Sequence, residues 1–385
     1  MIVPRAVATA ALVDFGFIVV AEGLGLTLLL VLLISDSYVV LCATVGAVIA
    51  GSLLLWRSVI GAYIERVFSR RAVWVRGVAA LYLVLMPAFL GGNTYVYNLF
   101  ILSALFAVVA VALNFQLGSA NLPNFASGAS YGIGAYVSAL LMVHAGLGFW
   151  PALVIAAVVA AGFGFLLGVP CMRTRDYYLA LVTIAFAVVV QQMLNNLAFT
   201  GGPNGIVNIP VPSIFGYSFS TAPDLFGMRL PSQANFYWLA LATLFFAIFL
   251  GRRLHDSRIG LAWNAIGADP LAASCQGINV VWYKVLAFAV DAFLAACAGT
   301  VYASYTSYIS PDDFTFVVSV TIMTMVIVGG LDNVVGVVAG AFILTVLPEK
   351  FRIFSDYRLL IYGLAVIVVM LIRPRGLIPR RLRRY

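Results

Sequence analysis

Asp291 stands near the middle of the apolar run KVLAFAVDAFLAACAG. An ionisable side chain is costly at that depth and is a functional residue by default. Two chemistries suit it. It meets a charged group of a passing solute or ion, or it is a hydrogen-bonded acid lodged between helices. A second polar group is SANLPNFASGAS, from Ser119 to Ser130. Pro123 cannot donate a backbone bond there, and Asn121, Asn124 and Ser127 need partners. Such a segment is either a broken helix lining a solute path or an ordinary loop at the membrane surface. A third group is Gln191, Gln192, Asn195 and Asn196. Gln192 and Asn196 share one helix face, as do Gln191 and Asn195. They approach the Gly/Pro-rich turn TGGPNGI, which holds Thr200, Gly201, Gly202 and Asn204. Its glycines permit positive φ. The turn either shapes the outer mouth of a pore or leads rigidly into a long outer loop.

Other chemistries find no footing. There is no G-x-x-x-x-G-K-[ST] loop for ATP, no H-E-x-x-H and no G-x-S-x-G. Asp312 and Asp313 are adjacent on a loop, which does not suit a catalytic pair. Cys42, Cys171, Cys275 and Cys297 are scattered, and His144 lies far from His255. No disulfide frame or metal site follows from such spacing. No catalytic residue, no metal ligand and no cofactor is assigned to this chain.

The elements that must position these groups are set by composition. Hydrophobic residues make up 63% of the 385 and charged residues 9%, with mean hydropathy +1.07. Soluble domains carry roughly 25% charge. Apolar runs this long and frequent are membrane helices, not barrel strands. Spans are expected at 13–35, 38–55, 74–91, 95–117, 128–147, 150–170, 177–197, 236–251, 284–304, 314–330, 334–347 and 357–373. The fold class is therefore all-α, a polytopic bundle of about 10–12 spans with broken or re-entrant helices. The run from Val13 to Ile34 stays in the membrane, since no small-residue cleavage site follows it.

The net charge of +8 comes from arginine in short loops. There it sets orientation rather than binding nucleic acid. Arg57, Arg66, Arg70, Arg71 and Arg76 place the loop after the second span in the cytoplasm. Alternation then puts Arg173, Arg175, Arg252, Arg253, Arg258, Lys284 and both termini on the same side. Lys350, Arg352 and Arg358 break the rule, so the count is least secure around 334–358. Residues 1–76 read as an accessory pair of spans with an arginine-rich loop, and 77–385 as the main body. Within that body, 252–283 is a cytoplasmic loop holding the polar island SRIGLAWNAIGADPLAASCQGI, from Ser257 to Ile278. Ser257 suits a helix cap and Gly277 a left-handed helix stop. Ala272 and Ala273 are small enough for another protein to approach closely. Such an island reads as an element gripped by a separate engine.

From about Asn98 to Leu377 the chain resembles the membrane permease subunit of a binding-protein-dependent ABC importer, of the branched-chain amino acid (LivM-like) type. The resemblance rests on motifs in order: GIGAY at Gly132, RTRDYYLALVTIAF at Arg173, TGGPNGI at Thr200, SRIG…AIGADPLAASCQGIN at Ser257, SPDDFTF at Ser310, VGGLDNVVGVVAGA at Val328 and RPRGL at Arg373. The sequence departs from the family at NLPNFAS, where a GQLSLGH-like stretch is usual, and at Asp291, where a small or neutral residue is usual.

The resemblance implies a multi-pass protein of a bacterial or archaeal inner membrane, in contact with membrane lipid. It implies a second homologous permease subunit, two ATPase subunits that carry ATP and Mg, and a periplasmic or lipid-anchored substrate-binding protein. The ATPase-coupling segment falls on Arg258, Gly260, Asp269, Ala272, Ala273, Gly277 and Ile278. The cargo is a branched-chain or other hydrophobic amino acid, with urea or short amides as the rival. Two other classes remain. An ion-coupled secondary transporter would use Asp291 as its ion or proton site. A membrane enzyme acting on lipid-linked substrates would need a cluster of carboxylates or histidines, which the sequence does not supply.

Overall fold

A computed structural model describes residues 71–350 except 91, 172–175, 215 and 226–227, with isolated positions on either side. Most of the spans expected at 13–35 and 357–373, all of 38–55, Arg173, Arg175 and both termini lie outside the described residues. The chain divides into two compact units. One is Met1–Tyr97 with Pro223–Pro231, the other Asn98–Ala222 with Ser232–Tyr385.

In the first unit, α1 (Ala72–Leu90) begins just after Arg71, whose Nε donates to Asp14 Oδ2 at 2.8 Å. The charge of Asp14 is thus paired. Tyr82 donates its hydroxyl to the Val19 carbonyl at 3.0 Å, and Val78 buries against Ile18.

The second unit is a helix bundle. Its chain runs through α2 (Thr94–Asn114, which starts in the first unit), α3 (Ser127–Val143), α4 (Phe149–Cys171), α5 (Asp176–Asn196) and α6 (Gln233–His255). Two short helices follow, α7 (Arg258–Ala268) and α8 (Pro270–Cys275). The rest is α9 (Val280–Thr306), α10 (Phe316–Gly329) and α11 (Val334–Lys350). These helices match the expected spans to within a few residues. Length and apolarity fixed them, and each sequence-expected span from 95 to 347 has its helix. Among the described residues six helices are long and apolar enough to cross a membrane, by length and composition.

The core is α9 packed between α3 and α4. Glycines set that spacing. A Cβ on Gly134 would collide with Ala296, and one on Gly299 with the Tyr131 carbonyl. One on Gly164 would lie 2.5 Å from the Phe288 carbonyl oxygen. Lipid offers helices no hydrophobic reason to associate, so close backbone packing through small residues supplies the attraction. Asp291 rides into this core on α9, only 1% exposed.

The long loop after α5 forms small antiparallel pairs not expected from the sequence. β1 (Ile206–Val207) pairs with β6 (Tyr308–Ile309), Ile206 opposite Ile309. β2 (Ser213–Ile214) pairs with β3 (Tyr217–Ser218), and in the first unit β4 (Asp224–Leu225) pairs with β5 (Met228–Arg229). Two-residue strands are too short to leave an alternating pattern.

Candidate functional site

The break between α2 and α3 starts before the proline. α2 passes into a π-helical turn, Phe115–Ser119. Such turns insert one extra residue and are common at functional sites. The chain then leaves helical geometry. Asn121 takes φ +53°, in the region where asparagine is among the few tolerated side chains. Pro123 prevents the helix from resuming at once. Leu122 N donates to Gln116 O at 3.1 Å, and α3 begins at Ser127.

Three of the sequence-singled residues meet here. Asn124 Nδ2 donates to Asp291 Oδ2 at 2.8 Å, and Ser127 Oγ donates to the same oxygen at 2.9 Å. Asn124 Nδ2 also donates to Gln116 Oε1 at 3.1 Å. Asn124 Oδ1 accepts from Ala126 N at 2.8 Å, which fixes the orientation of the amide. All four side chains are buried. Two backbone amides of the segment are held as well. Phe125 N donates to Thr183 Oγ1 on α5 at 3.1 Å, and Gly128 N to Ser319 Oγ on α10 at 3.0 Å. The broken segment is thus fastened to α5, α9 and α10 by side chains. Asn121 is the exposed member. Asp291 Oδ1 and Gln116 Nε2 are buried with no hydrogen-bond partner among the described residues.

The second group gathers at the end of α5 and in the turn that follows it. Asn196 is exposed and returns its Nδ2 to Gln192 O at 2.8 Å. Thr200 is buried, and its hydroxyl reaches Leu194 O at 2.8 Å and Leu197 O at 2.7 Å. Gly201 and Gly202 take φ +81° and +56°, so this turn does need its glycines. Asn204 is exposed beside them.

The polar island folds as an elbow. Ser257 caps α7, accepting from Ile259 N at 3.2 Å. Arg258 is exposed at its start and Gly260 lies against the His255 backbone. Trp263 is buried and donates Nε1 to Tyr283 O at 2.8 Å, locking α7 to the base of α9. Asp269 then caps α8, accepting from Leu271 N at 2.8 Å and Ala272 N at 3.1 Å. From Ala268 to Gly277 every residue is exposed except Ala273, and Leu271 is 75% exposed. Gly277 ends the elbow at φ +81°, and Ile278 N returns to Ala273 O at 3.2 Å.

Sequence reasoning missed Gln116, Thr183, Ser319 and Asp332. Gln116 and Asn114 were visible as polar residues late in an apolar helix. Thr183 and Ser319 carried no signal, since each resembles the many hydroxyls that bond their own helix backbone. Among the described residues no group of three or more His, Cys, Asp or Glu is placed to hold a metal.

Apolar helices packed through glycines, a fastened helix break in the core and a polar elbow at one end define a multi-pass membrane permease. The family model described as branched-chain amino acid transport system / permease component matches residues 95–372, and the chain belongs to that family. It is 37% identical over 291 residues to the high-affinity branched-chain amino acid transport system permease protein LivM of Escherichia coli K12, covering 72% of this chain and 68% of that protein. It is 26% identical over 300 residues to LivH of the same strain, covering 74% and 94%. A probable branched-chain amino acid transport permease protein LivM of Methanocaldococcus jannaschii is 23% identical over 328 residues, covering 72% and 91%. No solved structure shows a significant match. The protein is a multi-pass inner-membrane transport component, of a family of transport permease subunits.

Proposed function

We propose that this chain is one of two homologous permease subunits of an ATP-driven importer for branched-chain or related hydrophobic amino acids. The observation that carries this reading is the elbow. A membrane bundle with no work to do with another protein has little use for an exposed ledge with an aliphatic tip, Leu271, braced on the bundle by a buried tryptophan. Two ATPase subunits hold ATP and Mg and grip such ledges on the two permeases. Arg258, Gly260, Asp269, Ala272, Ala273, Gly277 and Ile278 form the grip on this one. ATP-driven closure of the ATPases then rocks the permeases as near-rigid bodies. A loaded substrate-binding protein docks at the opposite end, near Gln192, Asn196, Thr200, Gly201, Gly202 and Asn204.

The likeness to both LivM and LivH of one organism supports a heterodimeric pore. The names of the relatives favour branched-chain amino acids over urea or short amides. In this reading Asp291 does not meet the cargo. Both of its hydrogen bonds run to Asn124 and Ser127, so it fixes the shape of the broken segment, and Asn121 presents that segment's exposed side. Gentle purification from cells carrying the native operon, followed by mass spectrometry, tests the assembly. Co-purification of a second permease and of ATPase subunits is expected. A chain that purifies alone and transports without ATP would refute the reading.

A further inference from the structure

The elbow and the broken segment meet backbone to backbone at Gly267. Gly267 lies near the end of α7. A Cβ there would fall 2.5 Å from the Ser119 carbonyl oxygen, so helix backbone rests on the chain where it leaves the π turn. The turn is clasped from another side by the loop between α10 and α11. A Cβ on Gly118 would lie 2.6 Å from Asp332 N. Ser119 Oγ donates to Asp332 Oδ1 at 2.7 Å, and Asp332 N donates to Asn114 Oδ1 at 2.8 Å. Asp332 holds φ +61°, and its Oδ1 is also 3.8 Å from His255 Nδ1, at the end of α6. Residues 114–119 are therefore held between α7, the α10–α11 loop and the end of α6. A few residues beyond the clasp is Asn124, bonded to Asp291.

We infer that Gly267 and the Ser119–Asp332 clasp pass the motion of the elbow to the broken segment, and that they are positioning residues for transport. The inference rests on the importer reading above. Its physical basis is the difference in stiffness along the route. A backbone-to-backbone contact has no rotamer to absorb displacement. The non-helical stretch beyond it, residues 120–126, is the compliant part, since it lacks a continuous helical hydrogen-bond ladder. Displacement of α7 at Ser119 must then be taken up in Ala120–Ala126, which changes how Asn124 and Ser127 address Asp291. The clasp to Asp332 keeps the turn from slipping sideways out of the contact.

The test uses the whole importer in proteoliposomes, with Cys42, Cys171 and Cys275 replaced by serine and Cys297 buried, so that a cysteine introduced at Asn121 is the reporter on this chain. ATP hydrolysis, leucine uptake and the rate at which Asn121→Cys reacts with a polar thiol reagent, with and without ATP, are measured together. G267A forces the backbones apart, while S119A removes one bond and leaves the packing. Both are expected to keep hydrolysis within about twofold of the parent and to lower leucine moved per ATP by about tenfold for G267A and less for S119A. Both are also expected to blunt the ATP-dependent change in labelling. Unchanged uptake per ATP and unchanged labelling response in both variants would overturn the inference. So would a proportionate loss of hydrolysis and uptake with the labelling response intact, which marks a merely structural contact. A parent complex that shows no ATP-driven uptake takes down the importer reading itself, and this inference with it.

Discussion

Replacing Asp291 by asparagine and by alanine separates two uses of a buried carboxyl group. In the protein Asp291 Oδ2 accepts from Asn124 Nδ2 at 2.8 Å and from Ser127 Oγ at 2.9 Å, while Oδ1 accepts no bond among the described residues. Asparagine with its oxygen in the Oδ2 position keeps both bonds and turns its amide nitrogen to the Oδ1 side. The loss is the charge-assisted part of two hydrogen bonds, set against the cost of burying a carboxylate, and the net is about 1–2 kcal/mol. Alanine leaves the Ser127 hydroxyl and one Asn124 N–H without an acceptor. At about 1–3 kcal/mol for each buried orphan, Asp291→Ala costs about 2–6 kcal/mol. It also frees the segment from α9. Uptake of labelled leucine in cells and thermal unfolding in detergent read the two effects. Asp291→Asn is expected to keep uptake within a few-fold and to unfold near the parent temperature. Asp291→Ala is expected to unfold several degrees lower and to transport poorly. A folded, assembled Asp291→Asn protein with no uptake would refute the reasoning, because it would show that transport uses the ionisable group and not the bonds.

Gly277→Asp should leave the protein folded and inserted, since a side chain there meets nothing within 4 Å and the left-handed backbone costs about 1 kcal/mol. ATP-driven uptake should nonetheless fall sharply, and unchanged uptake would count against the coupling assignment. Cysteine scanning of the broken segment should find Asn121→Cys labelled by polar reagents and Asn124→Cys, Ala126→Cys and Ser127→Cys protected in the resting importer. Protection at every position would mark a packed loop rather than part of a path. Gly134→Ala and Gly299→Ala should each lower stability by about 1–3 kcal/mol, because the new methyl groups meet Ala296 and the Tyr131 carbonyl. Gly162→Ala, on the same bundle but with nothing within 4 Å, should be neutral or stabilising by up to about 1 kcal/mol. Thermal unfolding in detergent compares all three, and equal effects would remove the argument for close helix packing.

The spans were legible because membrane helices announce themselves by length and apolarity, and local sequence decides both. The break at Pro123 was legible for the same reason, as polar and proline residues at membrane depth are rare. Asp291, Asn124 and Ser127 were each visible as residues in need of partners. That they partner one another was not, since more than 160 residues separate Asp291 from the other two and no local pattern encodes such a contact. The π turn was equally hidden, because the polar residues of Phe115–Ser119 mark a change of composition but not a change of helix type. Asp332 looked like one residue of a family motif, and its left-handed backbone and bond to Ser119 emerge only in three dimensions. Gly267 resembled any small helical residue until the Ser119 carbonyl was found against it. At the elbow the reverse held. Ser257 and Gly277 are a local cap and a local stop, and their types announced a short helical element, while the second cap at Asp269 emerges only in the structure.

The account stands or falls on what drives the cargo. Proteoliposomes holding this chain, its homologous permease and the ATPase subunits, with the loaded binding protein at the outer face, should take up labelled leucine only when ATP is inside. Urea in excess should not compete. Uptake of leucine by this chain alone, driven by an ion gradient and indifferent to ATP, would contradict the account and return Asp291 to the centre of a different mechanism.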